Sequence, residues 1–132
     1  MSKFTVQKIE LPEEVTPFYT LVINGVNQME LFRDECKRNS RDGYFKSASS
    51  YVQSVSLGRR LSPKIIEPMK GIGADCYRIR KDPLRLYYIK HEIGFIFILG
   101  GIKPNQDSDV VRFENINKNI KADIEIIKKT KT

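Results

Sequence analysis

Two segments near the start of the chain have the hydrophobic pattern of β-strands. They are Phe4 to Leu11 and Phe18 to Ile23, and Pro12 and Pro17 lie between them. This spacing predicts an N-terminal hairpin whose loop is too long to be a tight turn. At 132 residues the chain is most simply one domain, residues 1–132, with residues 1–25 as a possible hairpin extension.

After the hairpin, the apolar residues recur at the spacing of an α-helix. Asn27, with Glu30 three residues later, resembles a capping box and predicts a helix that ends between Asn39 and Gly43. A second helix is predicted over about Tyr44 to Leu61. The apolar stripes are Met29, Phe32 and Cys36 in the first helix, and Tyr44, Ala48, Tyr51 and Val55 in the second.

Three further strands are predicted between Cys76 and Lys103. The first places Arg78 and Arg80 on one face, because side chains two residues apart on a strand share a face. The second begins at Arg85, and it is separated from the first by a turn at Asp82–Pro83. In this second strand Arg85 shares a face with Tyr87, while Tyr88 points to the opposite side.

The third strand, Phe95 to Leu99, is apolar at every position, as expected for a strand buried on both faces. A loop from Asn105 to Asp109 then leads to a last helix with an isoleucine stripe at Ile116, Ile120, Ile124 and Ile127. Thr130 to Thr132 is predicted to fray. The predicted fold class is α+β, with two N-terminal helices packed on a small antiparallel sheet and a C-terminal helix.

The charge of the chain indicates the kind of partner that it binds. The formal net charge is +7, and residues 28–103 contribute all of that excess, with fifteen basic and eight acidic side chains. A basic domain favours an anionic partner such as nucleic acid. Arg59, Arg60 and Lys64 lie near the end of the second predicted helix, where they suit either the helix dipole or a binding role.

Other function classes are disfavoured by composition. Cys36 and Cys76 are widely separated and His91 is the single histidine, so neither a zinc ribbon nor a multi-histidine metal centre is expected. We therefore expect no metal and no other cofactor. The chain has no signal peptide and no long apolar run, which favours a cytoplasmic protein without a membrane partner.

The cations on the predicted strands suit the binding of an anionic group. Arginine binds phosphate oxygens through a planar fork, so a face with Arg78, Arg80 and Arg85 is suited to hold phosphate. Cations on an edge strand also deter aggregation, and for Arg78 alone that structural role is the favoured interpretation.

The order of the elements and three short motifs resemble the RelE/HigB family of type II toxins. The motifs are Cys76–Arg80, Leu84–Tyr88, and Phe95–Leu99 followed by Gly101–Lys103, all within residues 69–113. The resemblance implies a RelE-like fold, similar to that of small microbial ribonucleases. It also implies an endoribonuclease that cleaves messenger RNA in the ribosome and is held inactive by a cognate antitoxin. Cleavage of RNA by its own 2′-hydroxyl needs a base, stabilisation of a pentavalent phosphate and protonation of the leaving oxygen, and cations can supply the stabilisation in place of a metal.

The resemblance also implies roles for individual residues. Arg80, Arg85 and Lys103 are expected to be catalytic: Arg80 or Lys103 would hold the scissile phosphate, and Arg85 would stabilise the transition state. Four more residues are expected to bind the substrate, and one of the two tyrosines among them would stack on a base. These four are Arg78, Tyr87, Tyr88 and Arg112.

The chain departs from the family pattern at three places. Pro104 follows Lys103 where the family often has a second basic residue, and Arg112 and Phe113 stand where some members have a tyrosine. The loop from Asn105 to Asp109 is acidic. The general base therefore stays open between Asp107, Asp109 and His91.

Two alternative functions follow from these departures. One is a non-enzymatic toxin of the same fold that acts on DNA gyrase. The other is a basic domain that binds nucleic acid without cleaving it, whose binding would depend steeply on salt.

Overall fold

The computed structural model of the protein describes residues 3–69, 71–73 and 75–122. These residues form seven strands and three α-helices. They are β1 (Phe4–Lys8), β2 (Phe18–Ile23), β3 (Val26–Asn27), α1 (Gln28–Arg38), α2 (Asp42–Ser56), β4 (Ile66–Pro68), β5 (Cys76–Lys81), β6 (Leu84–His91), β7 (Gly94–Ile102) and α3 (Gln106–Ala122), with a short 3-10 turn, Lys103–Asn105, before α3.

The strands form one mixed sheet in the order β1-β2-β7-β6-β5-β4, and β3 pairs with β2. Strands β2 and β7 run parallel, with Phe18 opposite Phe95, and the other pairs are antiparallel. The α+β class is confirmed. The sheet is larger than the predicted one and is not purely antiparallel. The N-terminal hairpin is part of this sheet. Strand β7 is an interior strand that pairs with β6 on one side and with β2 of the hairpin on the other.

Each face of the sheet has its own hydrophobic core. Leu84, Leu86 and Tyr88 of β6 belong to the core under α1 and α2, whereas Tyr87 and Ile89 belong to the core under α3. Alternate side chains of a strand point to opposite faces, so Arg85 lies on the α3 face. Between the two cores, every residue from Leu84 to Ile89 in β6 and from Ile96 to Leu99 in β7 is buried.

Strand β7 is the interior strand that its sequence predicts. Ile96 to Leu99 are at most 2% exposed. A β-bulge places Ile98 between two paired positions, since Tyr87 pairs with Leu99 and Tyr88 with Phe97. Ile98 and Leu99 therefore both enter the core under α3.

Two glycines after the bulge let helices approach the sheet from both sides. A Cβ atom on Gly100 would lie 2.3 Å from the Phe32 ring of α1, and one on Gly101 would lie 1.9 Å from Oδ2 of Asp109 in α3. A side chain at either position would have to displace these neighbours. The end of β7 is thus the point at which α1 and α3 both touch the sheet.

The observed ends of α1 and α2 can be compared with the helix ends predicted from the sequence. Oδ1 of Asn27 accepts hydrogen bonds from the backbone N–H groups of Met29 at 3.0 Å and Glu30 at 3.1 Å, which confirms the predicted cap of α1. The predicted end of the second helix at Leu61 is wrong. Helix α2 ends at Ser56 because Gly58 adopts a left-handed conformation with φ = 75°. Arg59 and Arg60 therefore lie beyond the helix and are exposed.

Helix α3 begins earlier than predicted. The segment expected as an acidic loop is its first turn, where Asp107 and Asp109 suit the positive end of the helix dipole. Ile120 is buried and Ile116 packs against the same core. Two predicted stripe positions, Ile124 and Ile127, and the tail from Thr130 to Thr132 lie outside the described residues.

Two further sequence expectations concern membrane and cysteine chemistry. None of the helices formed by the described residues is both long and apolar enough to cross a membrane. Cys36 and Cys76 lie in the cores on opposite faces of the sheet, so no disulfide joins them. Burial raises the pKa of the Cys36 thiol to about 11, which keeps this side chain a thiol rather than a nucleophilic thiolate at neutral pH.

Candidate anion-binding site

The β5–β6 hairpin brings two of the predicted catalytic arginines together. Its two-residue turn, Asp82–Pro83, makes Arg80 and Arg85 direct partners across the hairpin. Arg85 is in turn the partner of Gly101 on β7. Cβ atoms of directly opposed residues lie only about 5 Å apart, so these positions form one row across three strands on the α3 face.

The carboxylate of Asp82 lies among the three predicted catalytic cations. Nη1 of Arg85 donates a hydrogen bond to Oδ1 of Asp82 at 2.8 Å. This bond, the charge of Arg85 and the smaller effects of Lys103 and Arg80 lower the pKa of Asp82. The backbone N–H of Lys103 donates to the carbonyl of Pro83 at 2.8 Å, which fixes Lys103 beside the turn. We call Arg80, Asp82, Arg85 and Lys103 the Asp82 cluster.

The members of the Asp82 cluster differ in their freedom to move. The Arg85 side chain is 2% exposed and the Asp82 side chain is 71% exposed. Arg85 also donates from Nη1 to the carbonyl of Leu84 at 2.8 Å and from Nε to Oε1 of Gln106 at 3.0 Å. Arg85 thereby ties the hairpin to the start of α3. Its guanidinium is fixed, while the carboxylate in front of it can rotate into solvent.

Arg78, a predicted substrate-binding residue, is held by an internal partner. Its guanidinium forms a hydrogen-bonded ion pair with Glu67 of β4, and Nη1 of Arg80 lies 3.5 Å from the second oxygen of that carboxylate. Burial is the main cause of a lowered Arg78 pKa. Glu67 therefore neutralises the cations on the β4 side of the sheet, Arg78 and part of Arg80. The Asp82 cluster, which includes the exposed Lys103, is the more open part of this group of cations.

The two predicted stacking tyrosines are both inside the protein. Tyr87 is fully buried beneath α3, with its ring centre 5.9 Å from that of Phe113, and burial raises its pKa. Tyr88 is 3% exposed on the opposite face, where its ring contacts Phe18, Tyr77 and Phe95. Neither ring has a face open to a nucleobase, so the structure gives both a packing role.

The three candidates for a general base lie in different places. His91 is at the far end of β6 from Arg85, six residues away, or about 20 Å at the usual rise of a strand. Asp107 is exposed on the first turn of α3. Asp109 is 6% exposed and packs against Gly101, the β7 partner of Arg85. Burial raises the pKa of Asp109, as Glu35 also does, while Arg112 opposes the rise.

Arg112 lies apart from the Asp82 cluster, on the rim of a cleft. Its side chain is 61% exposed, and Nη1 is 3.8 Å from Oδ1 of Asp109. The cleft has a volume of about 350 Å³ and lies between α1, the end of β7 and the start of α3. We call it the α1–α3 cleft. Its polar lining consists of Glu35, Asn39, Arg41, Asn105, Asp109 and Arg112.

Sequence reasoning missed three residues that shape the site. Asp82 is recognisable as a turn residue, and a two-residue hairpin at this point would have placed it between Arg80 and Arg85. Glu67 and Gln106 give no such signal, because their contacts with arginines depend on a short edge strand and on the docking of α3.

The described residues contain no group of three or more histidine, cysteine, aspartate or glutamate side chains that could hold a metal ion. No protein-family model, no curated protein and no solved structure matches the chain.

Proposed function

We propose that this protein is the toxin of a type II toxin–antitoxin system, an endoribonuclease that cleaves messenger RNA in the ribosome with cations in place of a metal. The observation that carries the proposal is the hydrogen bond from the buried Arg85 to the exposed carboxylate of Asp82, with Arg80 opposite Arg85 across the hairpin and Lys103 beside its turn. The element order supports a RelE-like arrangement: α1 and α2 precede the antiparallel β5–β6–β7 meander, and α3 follows it.

The Asp82 carboxylate marks the position that an RNA phosphate would take. A phosphodiester presents anionic oxygens of the kind that an arginine fork binds. The exposed Asp82 side chain rotates into solvent, and the phosphate replaces it in front of the fixed Arg85 guanidinium. Arg80, which is partly exposed, and Lys103, which is exposed, then contact the phosphate from either side.

The proposed chemistry is attack by the 2′-hydroxyl on the adjacent phosphate. The pentavalent phosphate gains negative charge, and a guanidinium already fixed by Leu84 and Gln106 stabilises it without reorganisation. Asp109 accepts the 2′-hydroxyl proton, because it packs on the β7 partner of Arg85 and its raised pKa makes it a stronger base than Asp82. The bond between phosphorus and the 5′-oxygen then breaks to leave a 2′,3′-cyclic phosphate, and in this proposal the ammonium of Lys103 donates the proton that the leaving 5′-oxygen takes up.

Cell-free translation of a reporter messenger RNA, with 5′ ends mapped by primer extension, tests the proposal. The wild-type protein should produce new ends inside the coding sequence. Arg80→Ala and Lys103→Ala should abolish them without loss of the folded state, because both side chains reach solvent. Lys90→Ala is the matched control, since Lys90 is an exposed cation near the other end of β6. Intact message at a protein concentration that saturates the ribosomes would refute the nuclease.

A specific observation favours a second candidate, a toxin or nucleic-acid-binding protein without catalysis. The carboxylate inside the cluster, Asp82, has a lowered pKa and is a poor base, and Asp109 is nearly buried. A protein of this kind would bind RNA or DNA through the same cations and leave both intact. Gyrase inhibition in a supercoiling assay with uncut messenger RNA would favour this candidate over the ribonuclease.

The proposed partners follow from the toxin function. A cognate antitoxin would neutralise the protein by covering the cationic surface, and the ribosome would present the messenger RNA. Co-purification with a protein encoded beside this gene, together with loss of RNA cleavage in the complex, is the expected result of co-expression.

A further inference from the structure

The α1–α3 cleft has the size and position of a site for one base of a bound RNA. Its volume of about 350 Å³ is at the lower end of the usual range for ligand pockets, about 300–1,000 Å³. Ile102 lines the cleft, and the next residue is Lys103 of the Asp82 cluster. A base in the cleft and a phosphate at the cluster could therefore belong to the same nucleotide.

Opposite charges line this cleft, and two of them, Glu35 and Arg41, are not paired with one another. Glu35 and Arg41 both border it, yet neither makes an ion pair with another residue in the part of the chain that the structure describes. Arg112 extends from the other side and is held 3.8 Å from Asp109. The cavity thus presents a carboxylate and guanidinium groups to whatever occupies it.

The carboxylate and the guanidinium groups suit a ligand that has hydrogen-bond donors on one edge and acceptors on another. A carboxylate accepts hydrogen bonds from a pair of adjacent donors, and a guanidinium fork donates to a pair of adjacent acceptors. Among the RNA bases, guanine has both pairs: N1–H and the 2-amino group are donors, and O6 and N7 are acceptors. Adenine places an amino group beside N7, where it would oppose an arginine fork.

We infer that the α1–α3 cleft binds a guanine base of the RNA substrate, with Glu35 on its Watson–Crick edge and Arg41 or Arg112 on O6 and N7. The inference rests on the proposed function. Asp109 borders the cleft and also packs on Gly101 beside the arginine row. The guanosine is therefore the nucleotide whose 2′-hydroxyl attacks, and cleavage follows it on its 3′ side.

Fluorescence anisotropy with short 2′-O-methyl RNA, which cannot be cleaved, tests the base site apart from the chemistry. Four oligonucleotides would differ at one position, carrying guanine, adenine, hypoxanthine or 7-deazaguanine. Hypoxanthine lacks the 2-amino donor and 7-deazaguanine lacks the N7 acceptor. Each change should weaken binding about fivefold or more, as expected for loss of one half of a bidentate contact.

Protein variants identify the two sides of the cleft. Glu35→Gln should remove the difference between guanine and hypoxanthine while it leaves the difference between guanine and 7-deazaguanine. Arg41→Ala or Arg112→Ala should have the reverse effect. Glu30→Gln is the control on the same helix, because Glu30 is exposed but does not line this cleft.

Each outcome has a defined meaning. Equal affinity for the four oligonucleotides, with reporter messenger RNA still cleaved, would overturn the guanine site and leave the ribonuclease standing. Uncut messenger RNA, with chemical-shift changes at Gly100 and Gly101 on addition of guanosine monophosphate, would retain the base site and refute the ribonuclease. A free amino acid carries an ammonium and a carboxylate, which could pair with Glu35 and Arg41 of the cleft. Chemical-shift changes at these glycines with a free amino acid but not with guanosine monophosphate would therefore also overturn the inference.

Discussion

Arg85 donates a 2.8 Å hydrogen bond to Asp82, and the two side chains differ almost completely in exposure. The guanidinium is enclosed by the hairpin and α3, while the carboxylate extends into solvent. Among the described residues, Asp82 is the charged group that pairs with Arg85, so this buried cation is compensated by a carboxylate that solvent reaches. An external anion could bind the Arg85 guanidinium once the Asp82 side chain rotates away from it.

The Asp82→Asn variant should bind RNA more tightly than the wild type. The substitution removes the negative charge that competes with phosphate and keeps the size of the side chain. We expect affinity to rise several-fold, because an exposed ion pair makes only a modest contribution. Anisotropy with 2′-O-methyl RNA measures the change, with Asp75→Asn as a control at an exposed position beside the other end of the hairpin. Unchanged or weaker binding by Asp82→Asn would argue against phosphate binding at this position.

The parts of the fold that follow from local pattern were predictable. The apolar run that becomes β7 and the Asn27 cap of α1 depend on neighbours in the sequence, and both are observed. The alternation that places Arg85 and Tyr87 on one face of β6 and Tyr88 on the other is also local. These features could be read without tertiary information because strand and cap geometry fix them.

The features that could not be predicted depend on contacts between distant segments. Strand β4 has three residues and ends at Pro68, and its pairing with β5 is what sets Glu67 against Arg78. The burial of Arg85 depends on the docking of Gln106 from α3. The row of cations is therefore visible in the sequence, whereas the pairing of Glu67 with two of its arginines is not.

Asp109 should make stability fall as pH rises. Burial raises its pKa in the folded protein above the usual value of about 3.9, so the folded state binds the proton more tightly than the unfolded state. Stability is then lost between the unfolded pKa and the folded pKa, and the loss persists at neutral pH. Asp109→Asn should remove this part of the pH dependence and make the protein more stable at pH 7.

Urea unfolding at several pH values tests this expectation, with Asp107→Asn as the control because Asp107 is exposed on the same turn. The same Asp109→Asn protein should lose RNA cleavage, since the amide cannot accept the 2′-hydroxyl proton. Gain of stability with loss of activity is the expected result when a functional group lowers the stability of the folded protein. A variant that cleaves RNA normally would remove Asp109 from the proposed chemistry.

Gly101→Ala should destabilise the protein by about 1–3 kcal/mol, the usual cost of overpacking. The added methyl group would lie 1.9 Å from Oδ2 of Asp109, so this buried side chain, or the start of α3 that carries it, would have to move. Gly43→Ala is the control, because a Cβ atom there meets nothing within 4 Å, and we expect it to be neutral or stabilising by up to about 1 kcal/mol.

A double-mutant cycle identifies the cause of the Gly101→Ala effect. If the methyl group clashes with Asp109, Asp109→Ala should recover much of the lost stability, with an interaction energy of about 0.5–3 kcal/mol. Additive effects of the two substitutions would mean that the alanine disturbs β7 in another way, and the close packing of α3 on the strand would not explain the glycine.

Lys103→Ala should change the salt dependence of RNA binding as well as its strength. Each phosphate contact with single-stranded nucleic acid contributes about −0.7 to the slope of log K against log salt concentration. Loss of one contact should therefore make the slope shallower by about 0.7, and Lys90→Ala should leave the slope unchanged. Equal slopes for the wild type and Lys103→Ala would place Lys103 outside the phosphate site. A slope reduced for both variants would indicate diffuse attraction by the basic domain, because Lys90 lies near the end of β6 farthest from the Asp82 cluster.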